Sequence, residues 1–249
     1  MSRKNRQKAG SAGSSTSRFY VVLGVIAVVG VIAVGYAVSS SAMGRSAASE
    51  PVEVEGLDDM ARLVQMAQGV TIGDPDAPIK IVEFADYQCP GCGQFARAIK
   101  PRVDLAHVQT GDASFVFFDF PLVQIHPHAF LAARAARCAG DQEKYWEYHD
   151  ALFANQATWA ASSSPVRLFV DYAEGIALAP EEFESCLRSD RHADVVTANM
   201  RLGEELGVNG TPTVMISPAG AMARRLPSFD FETINQVVEE LKQQGGSGG

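Results

Sequence analysis

Hydrophobic positions divide the chain into one long apolar run near the N-terminus and a later alternation of strand-like and helix-like segments. Residues 19–38 read FYVVLGVIAVVGVIAVGYAV and contain no charged residue. Twenty residues of α-helix rise about 30 Å, which is close to the hydrocarbon thickness of a bilayer. The sequence therefore predicts one transmembrane helix over residues 19–38.

The residues on either side of this run predict its orientation. Residues 1–18 form a basic tail with five Lys or Arg and no acid, and such flanks stay in the cytoplasm. A cleaved signal peptide is the alternative, because SSSA at residues 39–42 has the small residues of a cleavage site, but signal cores usually span about 7–15 residues. We therefore expect a single-pass signal-anchor in the bacterial inner (cytoplasmic) membrane, with the rest of the chain on the periplasmic, extracytoplasmic side.

Residues 39–69 are predicted to be a linker that ends in a short helix. The first part, SSSAMGRSAASEPVEVEG at residues 39–56, is small and polar, as flexible tethers are. The segment DDMARLVQMAQG at residues 58–69 then has apolar residues at i, i+3, i+4 and i+7, the spacing of an amphipathic helix. These residues are Met60, Leu63, Val64 and Ala67. We expect this face to pack on the domain that follows.

Four later segments have the apolar pattern of strands. They are IKIVEFA at residues 79–85, SFVFFDF at 114–120, TPTVMIS at 211–217 and a short strand around 222–226. Turn-forming residues separate them from their neighbours, as GDPDAP does before the first strand and Pro121 after the second.

Helical spacing fills the intervals between the strands. Phe95, Ile99 and Val103 lie on one face of the helix that follows the first strand, with Pro101 as a candidate kink. A long helical stretch follows the second strand, and FDFETINQVVEELKQQ forms the last helix. Its apolar face contains Phe231, Ile234, Val237, Val238 and Leu241. The order β, α, β, helical block, β, β, α predicts an α/β sheet with an inserted all-helical subdomain.

The net charge of this domain argues against two classes of partner. The chain has 29 acidic and 21 basic residues, and five of the basic ones lie in residues 1–18, so the remainder carries a net charge of about −13. A domain this acidic is not expected to bind nucleic acid or anionic lipid.

Two motifs carry a resemblance to a known family. C-P-G-C at residues 89–92 follows a predicted strand and begins a predicted helix, and G-T-P-T at residues 210–213 begins a later strand. Together they resemble a thioredoxin fold, and the helical block between them resembles the insertion of the DsbA branch, the exported thiol:disulfide oxidoreductases. The similarity covers residues 70–243, with the insertion at about 124–206, and leaves residues 244–249 as a flexible tail.

The two cysteines of the first motif suit disulfide exchange in different ways. Cys89 should begin a helix, where unpaired N–H groups and the helix dipole stabilise a thiolate. Pro90 suits the first helical turn because the N–H it lacks would have had no partner. Cys92 lies about one turn further on, where it should be more buried. We therefore expect Cys89 to attack and Cys92 to resolve, and a stabilised thiolate makes the disulfide a better oxidant.

The resemblance places client binding at Pro90 and Gly91, between the cysteines, and at Thr211 and Pro212. Pro212 would be the cis-proline that faces the C-P-G-C motif, and Thr211 would offer its backbone to an extended client segment, as in β-augmentation. An ordinary trans-proline that starts a strand is the alternative. The Pro-Gly pair differs from relatives with a histidine there, so the thiolate lacks that extra donor or charge.

Glu83 lies six residues before Cys89, where relatives carry a buried acid beneath the active site. By this resemblance it would accept or relay the proton of Cys92. An acid in an apolar strand should have a raised pKa. The alternative is that strand alternation directs Glu83 to solvent.

Cys138 and Cys186 are the remaining cysteines, 48 residues apart in predicted helices of the insertion. In an oxidising compartment two such cysteines are expected to form a structural disulfide. Two free buried thiols are the alternative.

The sequence predicts no metal site and no cofactor, and its histidines are interpreted as structural or exposed residues. His126 and His128 form an H-x-H motif that could bind metal, but relatives carry a similar histidine-proline turn, so we expect a structural role. His149 is predicted to pack among aromatic residues, whereas His107 and His192 are predicted to be exposed.

Taken with the resemblance, these observations predict a monomeric oxidase that donates its Cys89–Cys92 disulfide to exported cysteine-containing proteins. A membrane redox partner would reoxidise it. A reductase or isomerase of the same fold is the alternative within this class. The alternatives from other classes are a non-catalytic adaptor and a copper or zinc chaperone, and the chaperone is disfavoured because C-x-x-C supplies only two of the four ligands that zinc normally takes.

Overall fold

The computed structural model of the chain describes residues 48–246. The predicted basic tail, the predicted transmembrane helix over residues 19–38 and the first part of the predicted linker lie outside the described residues. Among the helices that are described, none combines the length and the apolar character needed to cross a bilayer.

Five strands form one sheet in the order β1–β3–β2–β4–β5. They are β1 (Val70–Ile72), β2 (Ile79–Ala85), β3 (Ala113–Asp119), β4 (Thr213–Pro218) and β5 (Arg224–Arg225). β2 and β3 run parallel, and the other neighbouring pairs are antiparallel. Strands are present in all four predicted segments, with small differences at their ends. β1 was not predicted, because three residues are too few to show a period.

Helices cover the sheet and form the insertion between β3 and β4. α1 (Met60–Met66) precedes β1, and α2 (Pro90–Gln94) and α3 (Lys100–Val103) follow β2. The insertion contains α4 (Ala129–Gly140), α5 (Tyr145–Ala154), α6 (Gln156–Ala160), α7 (Val166–Gly175), α8 (Pro180–Arg188) and α9 (Ala193–Glu205), and α10 (Phe231–Gly246) follows β5. This is the α/β sheet with inserted helices that the sequence predicts.

The helical segment after Cys89 is not one regular α-helix. Two π-turns, Phe95–Ile99 and Asp104–Val108, lie on either side of α3. Pro101 lies between them, and it has no N–H to donate to the preceding turn. Phe95 and Val103 are nevertheless fully buried, as their spacing predicts.

The end of the predicted linker is attached to the insertion rather than free. The N–H of Ala48 donates to the Asp190 carboxylate (2.7 Å), and its carbonyl accepts from Arg134 (2.7 Å). The N–H of Val52 donates to the Thr197 hydroxyl (3.2 Å). The sequence predicts a flexible tether here, whereas from Ala48 onward polar side chains of the insertion bind this backbone.

Helix α1 packs on the domain through a narrower face than predicted. Leu63 and Ala67 are buried against Ala198 of α9. Met60 and Val64 remain 51% and 56% exposed. The helix spans only seven residues, so it contacts α9 along one line rather than a broad stripe.

A buried ionic group joins β3 to the insertion. The Asp119 carboxylate, at the end of β3, accepts from Arg137 of α4 (2.6 Å) and from Asn199 of α9 (3.1 Å). Arg137 also donates to the carbonyl of Gln68, just before β1 (2.6 Å). One carboxylate therefore holds three separate parts of the chain together.

Cys138 of α4 and Cys186 of α8 form a disulfide. Their Cα atoms are 5.8 Å apart, and both residues are buried. The bond lies within the insertion and joins two helices that also pack on each other.

Candidate active site

The C-P-G-C motif lies where β2 turns into the first helix. β2 ends at Ala85, and the N–H of Cys89 donates to the carbonyl of Asp86 (3.1 Å), which closes a tight turn. Cys89 is the N-cap of α2, with extended backbone, and Pro90 is the first helical residue. Cys89 and Cys92 are both free thiols. The turn therefore places the first sulfur in front of the N–H groups of the helix start.

The loop that precedes β4 faces this motif. The Thr211–Pro212 peptide bond is cis, and Cys89 Sγ lies 3.4 Å from the Thr211 carbonyl oxygen. A Cβ atom on Gly91 would lie 3.2 Å from Pro212 Cδ and 3.7 Å from Cys89 Sγ. The glycine thus permits a close approach between the loop and the motif that a larger side chain would disturb.

Several hydrogen bonds stabilise the Cys89 thiolate. They lower the pKa of Cys89 to about 5, and the largest contribution comes from the Cys92 side chain. The Thr211 side chain and the N–H groups of Cys92 and Gly91 lower the pKa further, and partial burial opposes them. Cys89 is therefore a thiolate at neutral pH while it keeps a small exposed area, 9%.

Cys92 has the opposite environment. It is fully buried, and this burial raises its pKa well above the ordinary value. Its thiol donates toward Cys89, and the charges of Glu83 and Cys89 also disfavour ionisation. The N–H of Asp86 donates to its sulfur (3.4 Å). Cys92 is consequently a protonated and inaccessible thiol.

Glu83 lies in the middle of the sheet beneath the cysteines. Its strand position is opposite Phe117 of β3 and Val214 of β4, and its side chain is buried rather than directed to solvent. Burial raises its pKa to about 8, although the positive charge of Lys100 opposes that change. One of its carboxyl oxygens, Oε1, has no hydrogen-bond partner. This acid can hold or release a proton near neutral pH.

Asp86 and His126 form a polar pair that sequence reasoning did not connect. The fully buried Asp86 carboxylate accepts from the N–H of Gln88 (2.6 Å) and of Leu122 (2.8 Å). His126 Nδ1 lies 2.7 Å from the same carboxylate. The residues are 40 positions apart, so no local pattern in the sequence could have paired them.

Two glutamines complete the frame around the motif. Gln156 of α6 donates to the carbonyls of Tyr87 (2.7 Å) and Cys89 (2.8 Å). Gln88 accepts from the N–H of His128 (2.9 Å). The insertion therefore holds the cysteine turn through side chains that the sequence offered no reason to select.

A cleft of about 540 Å³ begins at the cis-proline. Pro212, Val214, Leu226 and Phe229 line its apolar part, and Arg225 lines its polar part.

The solvent exposure of the remaining histidines agrees only partly with the prediction. His149 is fully buried among aromatic rings, as predicted. His107 is only 2% exposed and lies 3.1 Å from the Asn235 side chain, so the prediction of exposure is wrong. The His192 side chain is 21% exposed and lies beside Asp141. Packing by α10 explains the burial of His107.

Two groups of metal-ligating side chains occur among the described residues. The first combines His192 with the two sulfurs of the disulfide in the insertion, which are already bonded to each other. The second combines His107 with Asp112 and Glu239. There the Lys242 ammonium lies 2.7 Å from one carboxylate and 3.0 Å from the other. Neither group resembles a prepared metal site.

Comparison with known proteins links this geometry to a family. Residues 65–226 match the sequence profile of the thioredoxin family. Disulfide bond formation protein D of Bacillus subtilis (strain 168) is 28% identical over 177 residues, an alignment that covers 69% of this chain and 76% of that protein.

Other relatives are much longer proteins. The Na(+)/H(+) antiporter NhaA 1 of Salinispora arenicola (strain CNS-205) is 30% identical over 185 residues, which cover 74% of this chain and 26% of the antiporter. The chain thus spans about a quarter of the length of this relative.

Solved structures share the architecture. BdbD from Bacillus subtilis, in its oxidised form, superposes with a TM-score of 0.60 at 26% identity and covers 70% of this chain and 96% of its own. α-DsbA1 from Wolbachia pipientis superposes with a TM-score of 0.64 at 22% identity, and the alignment covers 73% of this chain and 96% of α-DsbA1. The sheet and inserted helices described above are therefore a thioredoxin-like α/β fold with a helical insertion.

Proposed function

Because the chain belongs to the thioredoxin family, we propose that it is a thiol:disulfide oxidoreductase that donates a disulfide to exported proteins. The observation that carries the proposal is the contrast between two sulfurs of one C-x-x-C motif. The pKa of Cys89 is lowered to about 5, whereas the pKa of Cys92 is raised well above its usual value. A stable thiolate favours the reduced form of the protein, and this makes the disulfide form a good oxidant.

The oxidase reaction begins with the Cys89–Cys92 disulfide. A client thiolate attacks Cys89 Sγ, the bond between the two cysteines breaks, and Cys92 leaves. A second client thiolate then attacks the client sulfur of the mixed disulfide and releases Cys89 as a thiolate. Two electrons pass from the client to the enzyme, and the client gains one disulfide.

Three groups support these steps in the proposed reaction. Glu83, whose pKa is about 8, supplies the proton that Cys92 takes up as it leaves. Thr211 and Pro212 present backbone groups to an extended client segment beside Cys89. Pro90 and Gly91 form the surface between the sulfurs, and the absence of a side chain at Gly91 leaves room for the client.

We place this reaction outside the cytoplasm. The predicted helix over residues 19–38 would anchor the protein in the inner membrane with its N-terminus in the cytoplasm. The Cys138–Cys186 disulfide supports this location, because structural disulfides persist in oxidising compartments. The proposed partners are exported cysteine-containing proteins and a membrane redox protein that reoxidises the monomeric enzyme.

The direction of the reaction is tested by the reduction potential. The Cys89–Cys92 couple is equilibrated with glutathione buffers and the reduced fraction is measured. A potential between about −120 and −180 mV supports the oxidase, whereas a value near −270 mV identifies a reductase and contradicts the proposed direction.

The assignment of the two sulfurs is tested by single substitutions. Cys89→Ser should abolish disulfide exchange with a reduced client, because the attacked sulfur is lost. Cys92→Ser cannot form the internal disulfide, so with an oxidised client it should instead accumulate mixed disulfides at Cys89, visible on non-reducing gels, because the Cys92 thiol that would attack Cys89 Sγ and release the client is missing. Full turnover by Cys92→Ser would show that Cys92 is not the resolving cysteine.

A further inference from the structure

The segment between β3 and α4 is fastened to the cysteine turn at three points. The N–H of Leu122 and the ring of His126 both bind the Asp86 carboxylate, at 2.8 and 2.7 Å. The N–H of His128 binds the Gln88 side chain at 2.9 Å. This segment therefore has a defined position next to the turn that carries Cys89.

The backbone of Asp86 contacts both cysteines. Its carbonyl accepts from the N–H of Cys89 (3.1 Å), and its N–H donates to Cys92 Sγ (3.4 Å). The Asp86 carboxylate is fully buried, and the His126 side chain is 16% exposed. A charge on either side chain thus acts on the sulfurs through the protein interior, where screening by water is weak.

From this geometry we infer that His126 supplies the positive charge beside Cys89 that the Pro-Gly pair lacks. The inference rests on the proposed function and identifies a positioning residue for it. With His126 protonated, the pair with Asp86 is neutral. When His126 loses its proton, the Asp86 carboxylate is left unopposed and repels the Cys89 thiolate. The oxidising strength of the disulfide then falls as pH rises through the titration of His126.

The electrostatic environment agrees with this inference. The hydrogen bond to Asp86 raises the pKa of His126, and the Cys89 thiolate raises it further. The ionisable groups that act here are Asp86 from the cysteine turn, Cys89 from the N-terminus of α2, and Glu83 from β2, which is coupled to Cys89. His128 is on the same segment, but its ring is 2.8 Å from the carbonyl of Ser162.

Binding reciprocity provides a test that needs no active-site substitution. If the Cys89 thiolate stabilises protonated His126, the pKa of His126 must be higher in the reduced protein than in the oxidised protein. NMR titration of the His126 ring in both redox states measures this difference, with His126→Asn to assign its signal. We expect proton binding about threefold stronger in the reduced protein. Equal pKa values in the two states would overturn the inference.

Substitutions test the same coupling from the side of the thiol. His126→Asn should raise the pKa of Cys89 by about 0.5 to 1, measured from thiolate absorbance at 240 nm. The resulting threefold to tenfold change in equilibrium with glutathione makes the potential about 15 to 30 mV more reducing. Removing the opposing charge as well, in Asp86→Asn with His126→Asn, should return the pKa of Cys89 toward the starting value.

A control separates charge from loop structure. His128→Asn removes an imidazole from the same segment, and it should leave the pKa of Cys89 unchanged. If it shifts that pKa as much as His126→Asn does, or if the double variant shifts it further than the single one, the charge of His126 is not the cause. If the wild-type protein exchanges no disulfide with glutathione, the proposed function is contradicted. If exchange is normal but His126→Asn leaves the pKa of Cys89 unchanged, this inference alone is contradicted.

Discussion

At the scale of single residues, chemically identical groups acquire different properties from their positions. Cys89 lies at a helix N-terminus among hydrogen-bond donors, and Cys92 lies one turn deeper among apolar groups. Glu83 is an acid in a strand whose neighbours are apolar, so burial raises its pKa to about 8. Because an unfolded glutamate ionises near 4.5, the folded protein binds one more proton than the unfolded protein between these pH values.

Glu83→Gln tests this residue through stability. The contribution of Glu83 to stability is fully present below pH 4.5 and is lost as pH rises through its raised pKa, which is about 8 when Cys89 is a thiolate and which burial, the largest cause, keeps raised in the oxidised protein. The oxidised wild-type protein should therefore lose more unfolding free energy between pH 5 and pH 8.5 than oxidised Glu83→Gln does. Urea denaturation at the two pH values measures both, and the oxidised state keeps Cys89 and Cys92 from titrating. Equal losses in the two proteins would show that Glu83 is not a buried acid.

At the scale of elements, a few buried polar contacts determine how the insertion sits on the sheet. Asp119 at the end of β3 binds Arg137 of α4 and Asn199 of α9. Arg137 is buried as well, at 8% exposure. The carboxylate therefore compensates a charge that is largely shielded from water, and losing one partner leaves the other unpaired.

Asp119→Ala should destabilise the fold by about 3–5 kcal/mol, because it leaves the Arg137 charge buried without a counter-ion. Chemical denaturation at pH 7 measures the change. The matched control is Glu205→Ala, which removes a 2.7 Å ion pair with Arg201 on the surface of α9 and should cost less than about 1 kcal/mol. A similar small loss for Asp119→Ala would mean that the buried group does not hold the insertion in place.

At the scale of the whole molecule, stability and redox chemistry use different pairs of cysteines. The Cys138–Cys186 disulfide closes a loop of 48 residues within the insertion. Cys89 and Cys92 are instead free thiols, and they lie beside the cis-proline loop. One pair restrains the unfolded chain, and the other exchanges electrons.

The double substitution Cys138→Ala with Cys186→Ala should lower the unfolding free energy by about 4 kcal/mol, the loop-closure entropy expected for this separation. The rate of disulfide exchange at Cys89 should stay the same at temperatures where the variant is folded. Thermal denaturation and a client-oxidation assay measure the two quantities. A large loss of exchange rate in a folded variant would show that the two pairs are not independent.

By itself, the sequence determined the order of four of the five strands and of the helical segments between them, the apolar face of the last helix and the C-P-G-C motif at a helix start. These features depend on residues within a few positions of one another, so hydrophobic spacing and turn chemistry are enough to predict them. The apolar face of α10 shows this, since Ile234, Val237 and Val238 are buried as predicted.

Only the tertiary structure decided which distant groups meet. It paired Asp86 with His126, brought Gln156 to the backbone of the cysteine turn, buried His107 beneath α10 and attached Ala48 to the insertion. Each contact joins residues far apart in the chain through side-chain geometry and loss of water. No periodic pattern records such contacts, because they depend on how whole elements pack rather than on what each element is.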